Sequence, residues 1–295
     1  MACATVTRGY AGAPMPSTIS VALVTRNRPD SLERTLRSLR AQQTQPLEVV
    51  VSDDSDPDQA DETRRMAEEH GCRYERGPRR GLYANRNAVA RACRGSHIRT
   101  MDDDHEFPPG HWEACESAVA RDAEAVWVIG EIEPGGDPAE PRFPGELHPR
   151  GFSTMPRDLD RTWAISDGAS IYPASIFASG LLFSEAFKFG ASYLEFGSRL
   201  HHLGYRIRHM GDTWVIHHFD PATRSFASHE EDLGSKVFAT LSHSFTYQPS
   251  VRNRLLTVAE LARDVAKHPR VGGRAARRGY RAYREQRDAL STAAR

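Results

Sequence analysis

Thr100-Met101-Asp102-Asp103-Asp104-His105-Glu106 places three consecutive carboxylates and an imidazole at the end of a short run, His97–Met101, that reads as a strand. Three adjacent carboxylates are costly to bury unpaired. Oxygen ligands gathered at one point suit a hard cation such as Mg2+ or Mn2+. Mg2+ is commonly held by one or two carboxylates together with substrate phosphates. The chemistry implied is a metal–diphosphate site, and the alternative is a solvated acidic turn. Two further polar clusters bear on the choice: Thr25-Arg26-Asn27-Arg28 after the apolar run Ile19–Val24, and Ser52-Asp53-Asp54 after Leu47–Val51.

The elements between these clusters decide whether they meet. Asp30 or Ser31 can cap a helix in which Leu32, Leu36 and Leu39 recur at helical spacing, ending near Gln43. A polar helix runs from about Pro57 to Glu69, with a short strand at Gly71–Tyr74 and a helix over Leu82–Arg94. After the acidic tip come a helix, His111–Arg121, and a strand, Ala125–Gly130. Strands alternating with helices predict a mostly parallel α/β sheet covered on both sides. Ligands of such sheets bind beyond the carboxyl ends of the strands. All three polar clusters sit just after a strand and so belong to one sheet edge. Beyond it, Glu131–Arg161 is rich in Pro and Gly and reads as a long functional loop. Tyr193–Leu203 reads as a helix, Tyr205–His209 and Thr213–His217 as paired short strands, and the chain from Val251 as helical with a break near Pro269–Gly273.

A chain of 295 residues holds one large domain or two small ones. The net charge is zero but unevenly spread: from Val251 onward there are twelve Lys/Arg against four Asp/Glu. Cys3, Cys72, Cys93 and Cys115 show no CxxC spacing, which argues against a disulfide framework or a zinc site and fits a reducing cytoplasm. Met1–Ser17 lacks a signal-peptide core and reads as a flexible terminus, and no run has the ~18 apolar residues of a membrane span.

These residues resemble a family 2 glycosyltransferase of the GT-A fold. Five features occur in order: the strand and loop Val21–Arg28; Asp53-Asp54-Ser55; Gly81-Leu82-Tyr83-Ala84-Asn85-Arg86-Asn87, similar to a Gly-x-x-x-Ala-Arg-Asn segment; the DXD motif Asp102-Asp103-Asp104; and Glu195–Leu200 followed by Gly204–Ile207, similar to the acceptor-side helix. The resemblance covers residues 18–220, each piece being weak alone and the ordered set specific. It implies a Rossmann-like nucleotide-sugar half over 18–130, an acceptor half over 131–245 and a basic helical tail over 246–295. It implies metal-dependent sugar transfer from a nucleoside diphosphate donor, most simply a UDP-sugar, to a hydroxyl acceptor, usually with inversion. Carried over, Asp54 holds the base with Asp53 beside it, and Thr25, Arg26 and Asn27 line the donor site. Arg86 supports base or diphosphate, Asp102 approaches the ribose, Asp103 belongs to the donor-binding set, and Asp104 with Asp102 ligates Mn2+ or Mg2+. A late histidine completes the metal shell, for which His217 and His218 are the candidates.

One departure matters. Inverting members carry a Glu-Asp pair before the acceptor helix, where this chain has Ser192-Tyr193. An unperturbed Tyr titrates near 10 and is a poor base. Glu195 is the nearest carboxylate and the first candidate base, with Asp167 the second. Glu195 can instead pair with Arg199 one turn on. The missing pair leaves open a catalytically silent sugar-nucleotide binder. His105 can touch metal or shape its loop, and Trp127, Trp163, Tyr172 and Trp214 can stack on sugar or pack in the core. A nucleotidyltransferase would need a Gly-rich loop after the first strand, and Thr25–Pro29 has no glycine. The basic tail allows peripheral contact with an anionic membrane or self-association, and without a recognised module it does not indicate nucleic acid.

Overall fold

The computed structural model describes residues 17–220 and 228–293. Residues 1–16, 221–227 and 294–295, and with them most of the terminus expected to be flexible, lie outside the described residues.

The fully buried run Ile19–Thr25 is β1, and its alternation serves two cores. Val21 and Leu23 join Leu32, Leu36, Leu39 and Trp112 on one face, while Ala22 and Val24 join Tyr83, Phe183 and Phe196 on the other. Such two-sided burial is what a strand between helical layers requires. Helix α1 (Pro29–Arg40) begins with Pro at its first position and turns its leucines inward. The order continues with β2 (Glu48–Asp53), α2 (Pro57–Glu69), β3 (Arg73–Arg76), α3 (Leu82–Ala92), β4 (His97–Asp102), the two-residue β5 (His105–Glu106), α4 (His111–Arg121) and β6 (Val126–Ile132). Then come β7 (Glu146–Leu147), β8 (Ser153–Thr154), β9 (Ala169–Pro173), α5 (Ala174–Ala178), α6 (Ser192–His202), β10 (Ile207–His217), α7 (His229–Ser242), α8 (Val251–Lys267) and α9 (Pro269–Ala293).

The sheet order is β3-β2-β1-β4-β9-β6-β10-β5. Strands β3, β2, β1 and β4 are parallel, β9 runs against both β4 and β6, and β10 runs with β6. The expected parallel sheet is therefore parallel in its first half and mixed beyond β4.

Two expectations change. Tyr205–His209 and Thr213–His217 do not pair with each other. They form one strand, β10, along β6, with the register broken between Met210 and Trp214. Both halves find a ladder partner in β6, so the intervening Gly211 and Asp212 are extruded and exposed. The long loop after β6 also has structure of its own: β7 and β8 pair antiparallel, and Glu131 bridges to Arg142. The break between tail helices falls at His268–Pro269, where proline opens α9, and Gly272 and Gly273 lie inside that helix.

Candidate functional site

The carboxyl ends of β1, β2 and β4 open into a cavity of about 760 Å³, lined by Thr25, Arg26, Arg28, Asp54 and Asp102–Asp104. The three polar clusters converge because Val24 lies beside Asp102 and Thr25 beside Asp53 in adjacent strands. The opposite wall brings Glu131, Asp167, Tyr193 and His217, and Phe143, Phe152 and Phe219 form an aromatic rim.

The three consecutive aspartates have separate environments. Asp102 accepts from Arg86 Nη2 at 2.7 Å. Burial opposes its charge, but Arg86 outweighs that and holds Asp102 below the usual carboxylate range. Asp103 is buried, accepts from Thr25 Oγ1 at 2.6 Å and pairs with Arg28. Burial, with Asp104 and Asp102 beside it, pushes Asp103 up to about 7. Asp104 Oδ2 accepts from Arg28 Nη1 at 3.1 Å. Its other oxygen, Oδ1, is buried without a hydrogen-bond partner, 3.5 Å from His217 Nε2 and 3.9 Å from His105 Nε2. Burial works against the Asp104 charge, yet His217, His105 and Arg28 together hold its pKa well below the usual range.

His105 and His217 meet because they are directly opposite in the antiparallel pair β5–β10. One ligand atom from each of Asp104, His105 and His217 lies within 4.8 Å of the others, and both ring nitrogens of His105 are buried without a hydrogen bond. Orphaned buried acceptors need an explanation, and a cation supplies one. Mixed imidazole–carboxylate donors suit Mn2+ or a related divalent ion better than an all-oxygen Mg2+ shell. Glu131 Oε2 lies 2.8 Å from His217 Nδ1 and orients the ring, as carboxylates commonly do behind metal-ligating histidines. Burial lowers the His217 pKa, but Asp104 and Glu131 outweigh it and raise it to about 10.

His218 is not brought to the site. Successive strand residues point to opposite faces, and its ring pairs with Glu106. Asp53 is also redirected: it is fully buried and accepts from Tyr74 OH at 2.8 Å and Arg76 Nη1 at 2.9 Å, away from the cavity. Asp54, one residue on, lines the cavity, with Oδ1 accepting from the Arg79 amide at 2.8 Å and Oδ2 buried without a partner. Its pKa is raised by burial. Asn27 adopts φ 54° and serves the loop, its amide donating to Ser55 Oγ at 2.7 Å and its side chain to Asp56 at 2.8 Å.

Arg86 is completely buried and does not line the cavity. It reaches Asp102 at 2.7 Å and Asp167 at 3.6 Å, so it supports two carboxylates from behind rather than meeting a base or diphosphate directly. Asp167 lines the cavity, and burial pushes its carboxyl up to about 6 against the pull of Arg86.

Glu195 is corrected as the first candidate base. It is fully buried in α6, outside the cavity lining, with Oε1 accepting from Tyr247 OH at 2.5 Å and lying 3.2 Å from Arg199 Nε. A carboxylate held this way inside the protein has no route to an acceptor hydroxyl. Trp127, Trp163, Tyr172 and Trp214 do not line the cavity either. Residues not singled out as site groups include Arg28, Glu131 and two glycines that make room for the acids. A Cβ on Gly168 would sit 2.0 Å from Asp102 Oδ2, and one on Gly77 would sit 2.3 Å from Asp54 Oδ1. Arg28 was legible as a cation between the first strand and Pro29, whereas the glycines carried no signal.

The sequence profile of glycosyl transferase family 2 matches residues 20–180. This chain belongs to that family. The transferase is similar in fold to S. aureus TarS 1–349, with a TM-score of 0.59 and 16% identity over 85% of this chain and 72% of that one. It is also similar to GalNAc-T7 crystallised with UDP, GalNAc and Mn2+, with a TM-score of 0.62 and 16% identity over 88% of this chain and 59% of that one. A TarS 1–349 complex with UDP-GlcNAc matches with a TM-score of 0.59 at 16% identity, covering 84% of this chain and 73% of that one. No curated protein sequence matches the chain. Both neighbours are GT-A enzymes, and the mixed sheet with flanking helices is the GT-A architecture. Among the described residues, no helix is long and apolar enough to cross a membrane.

Proposed function

We propose that this transferase moves a sugar from a nucleoside diphosphate donor, most simply a UDP-sugar, to a hydroxyl acceptor, with inversion and with help from a divalent cation. The observation that carries the reading is the cluster Asp104, His105 and His217, with orphaned buried donor atoms; Asp104 and His217 line the same cavity as Asp54, Asp102 and Asp167, and His105 is buried behind them. The folds of TarS and GalNAc-T7, crystallised with UDP-GlcNAc and with UDP, GalNAc and Mn2+ respectively, support the same donor chemistry.

In this reading residues 18–130 form the nucleotide half, 131–245 the acceptor half and 246–295 a helical tail. Asp54 accepts from the N–H groups of the base through its free oxygen. Asp102, fixed by Arg86, faces the ribose hydroxyls. Asp104, His105 and His217 would hold Mn2+ or Mg2+, with Glu131 fixing the His217 ring. The ion, when bound, supplies positive charge against the departing diphosphate. Asp167 takes the proton of the acceptor hydroxyl as its oxygen bonds to the anomeric carbon. The bond from that carbon to the phosphate oxygen breaks on the opposite face, and the nucleoside diphosphate leaves with the electron pair. A base with a pKa near 6 is ionised at neutral pH yet basic enough to assist.

Calorimetric titration of the full chain with UDP, with and without Mn2+, tests the reading. UDP binds at least tenfold more tightly with Mn2+, and Asp104→Ala abolishes that difference. UDP affinity indifferent to every divalent ion would refute it.

A further inference from the structure

Helix α8 leaves an apolar stripe outside. A surface helix usually turns its apolar stripe to the core. The fully buried residues of α8 are instead Thr257, Glu260 and Asp264, with Leu256, Leu261 and Val265 half-buried beside them. Thr257 Oγ1 donates to Pro149 O at 2.8 Å, Glu260 meets Arg150 at 3.2 Å and Lys236 at 3.0 Å, and Asp264 meets Lys236 at 2.7 Å. These polar contacts, with Leu261 packed on the cluster of Val237, Phe238 and Leu241, anchor the helix to α7 and to the loop between β7 and β8.

The outward face is apolar. Val251, Leu255 and Val258 are 75%, 65% and 53% exposed, and Ala259, Ala262 and Ala266 are exposed beside them. At 3.6 residues per turn these six occupy an arc of about 100°, without a charged residue in it. Arg252 and Arg263 border the stripe on one side and Arg254 on the other. The helix has only two acidic residues, Glu260 and Asp264, and both face inward.

We propose that this face of α8 lies in the headgroup region of a membrane rich in anionic lipid. Apolar side chains flanked by arginines match an interfacial helix, in which the stripe enters the acyl boundary and the guanidinium groups meet lipid phosphates. Seventeen residues span about 25 Å as a helix. That length suits a helix lying in the membrane plane. A second copy fits worse. Two-fold pairing would bring Arg252, Arg254 and Arg263 of both copies together, with no outward acid on either helix. Exposed Arg270, Arg277, Arg281 and Arg284 on α9 add long-range attraction to an anionic surface. The consequence for the transferase is location: the loop that α8 anchors also contributes Phe152 to the cavity rim. A bilayer-bound α8 therefore holds that rim close to acceptors carried by lipid.

The test is co-sedimentation of the full chain with phosphatidylcholine vesicles, with and without phosphatidylglycerol, at low and high salt. Binding is about tenfold stronger to the anionic vesicles and weakens with salt. Leu255→Ser with Val258→Ser lowers it about tenfold, and Arg252→Glu lowers it further, with thermal unfolding and UDP binding unchanged. Three results overturn the proposal: no binding, equal binding to neutral vesicles, or retention of binding by the double serine variant. So does a stable dimer in sedimentation velocity that the serine variant splits, because a second copy then covers the face.

Discussion

Replacing Asp167 with Asn separates catalysis from stability at one side chain. Asp167 is 21% exposed, and its pKa is raised from 3.8 to about 6 by burial and by the neighbouring Asp102 charge, against the pull of Arg86. A raised carboxylate pKa means that the native fold disfavours the ionised form. The cost is absent below the unfolded pKa, where the group is neutral in both states, and complete above the folded one. Two pKa units correspond to about 3 kcal/mol at pH 8 and to about half that at pH 5. Asn carries no such cost at any pH, and Arg86 keeps its 2.7 Å contact with Asp102. Asp167→Asn is therefore expected to stabilise the protein in urea by up to about 3 kcal/mol at pH 8, with a smaller gain at pH 5. If Asp167 is the base, the same change lowers UDP-sugar turnover, read as UDP release with Mn2+ present, by ~10²–10⁴-fold. The wild-type rate should rise with pH through a limb near 6, and the variant should lack that limb. A variant that is less stable at pH 8, or one that keeps wild-type turnover, would refute the assignment.

Two other substitutions probe how the acids are positioned. Glu195→Gln leaves the buried Arg199 guanidinium without its carboxylate, so the unfolding free energy should fall by about 3 kcal/mol, while turnover per folded molecule stays the same; a large loss of turnover in fully folded protein would restore Glu195 as a candidate base. Gly168→Ala places a methyl group where Asp102 Oδ2 now lies, at 2.0 Å, and so displaces that carboxylate. It should raise the KM for a UDP-sugar about tenfold with little change in far-UV circular dichroism, and an unchanged KM would count against Asp102 as a donor contact.

The first half of the sheet was legible because its apolar runs are short, doubly buried and ended by polar residues. Ile19–Thr25, Glu48–Asp53 and His97–Asp102 all deliver their last residues to one edge. Legibility failed where the answer depends on which way a known face points. The sequence marked a helix from Val251 but not which of its faces packs inward, because its polar side finds partners in Pro149, Arg150 and Lys236. His105 and His217 become neighbours only through β5, a strand of two residues that no pattern reveals.

The acids follow a more general rule, visible in their partners. Glu195 pairs with Arg199 within the same helix, as Glu33 does with Arg37 and Glu69 with Arg65, although Glu195 Oε2 is buried without a hydrogen bond. A pair formed within one element needs nothing from the rest of the fold, so it does not require a common meeting point. The cavity acids depend on distant cations instead. Arg86 of α3 holds Asp102 at the end of β4 and Asp167 before β9, and Arg28 after β1 holds Asp103 and Asp104. Each shared cation ties loops from separate strands to one place. Asp104 Oδ1 is left without a hydrogen bond, 3.5 Å from His217 Nε2, and Asp167 keeps a raised pKa. The i,i+4 spacing of Glu195 and Arg199 thus weighed against Glu195 as a base from the outset. Asp167 has no cation one turn away in its own element; its partner is Arg86 of α3, and its side chain lines the cavity.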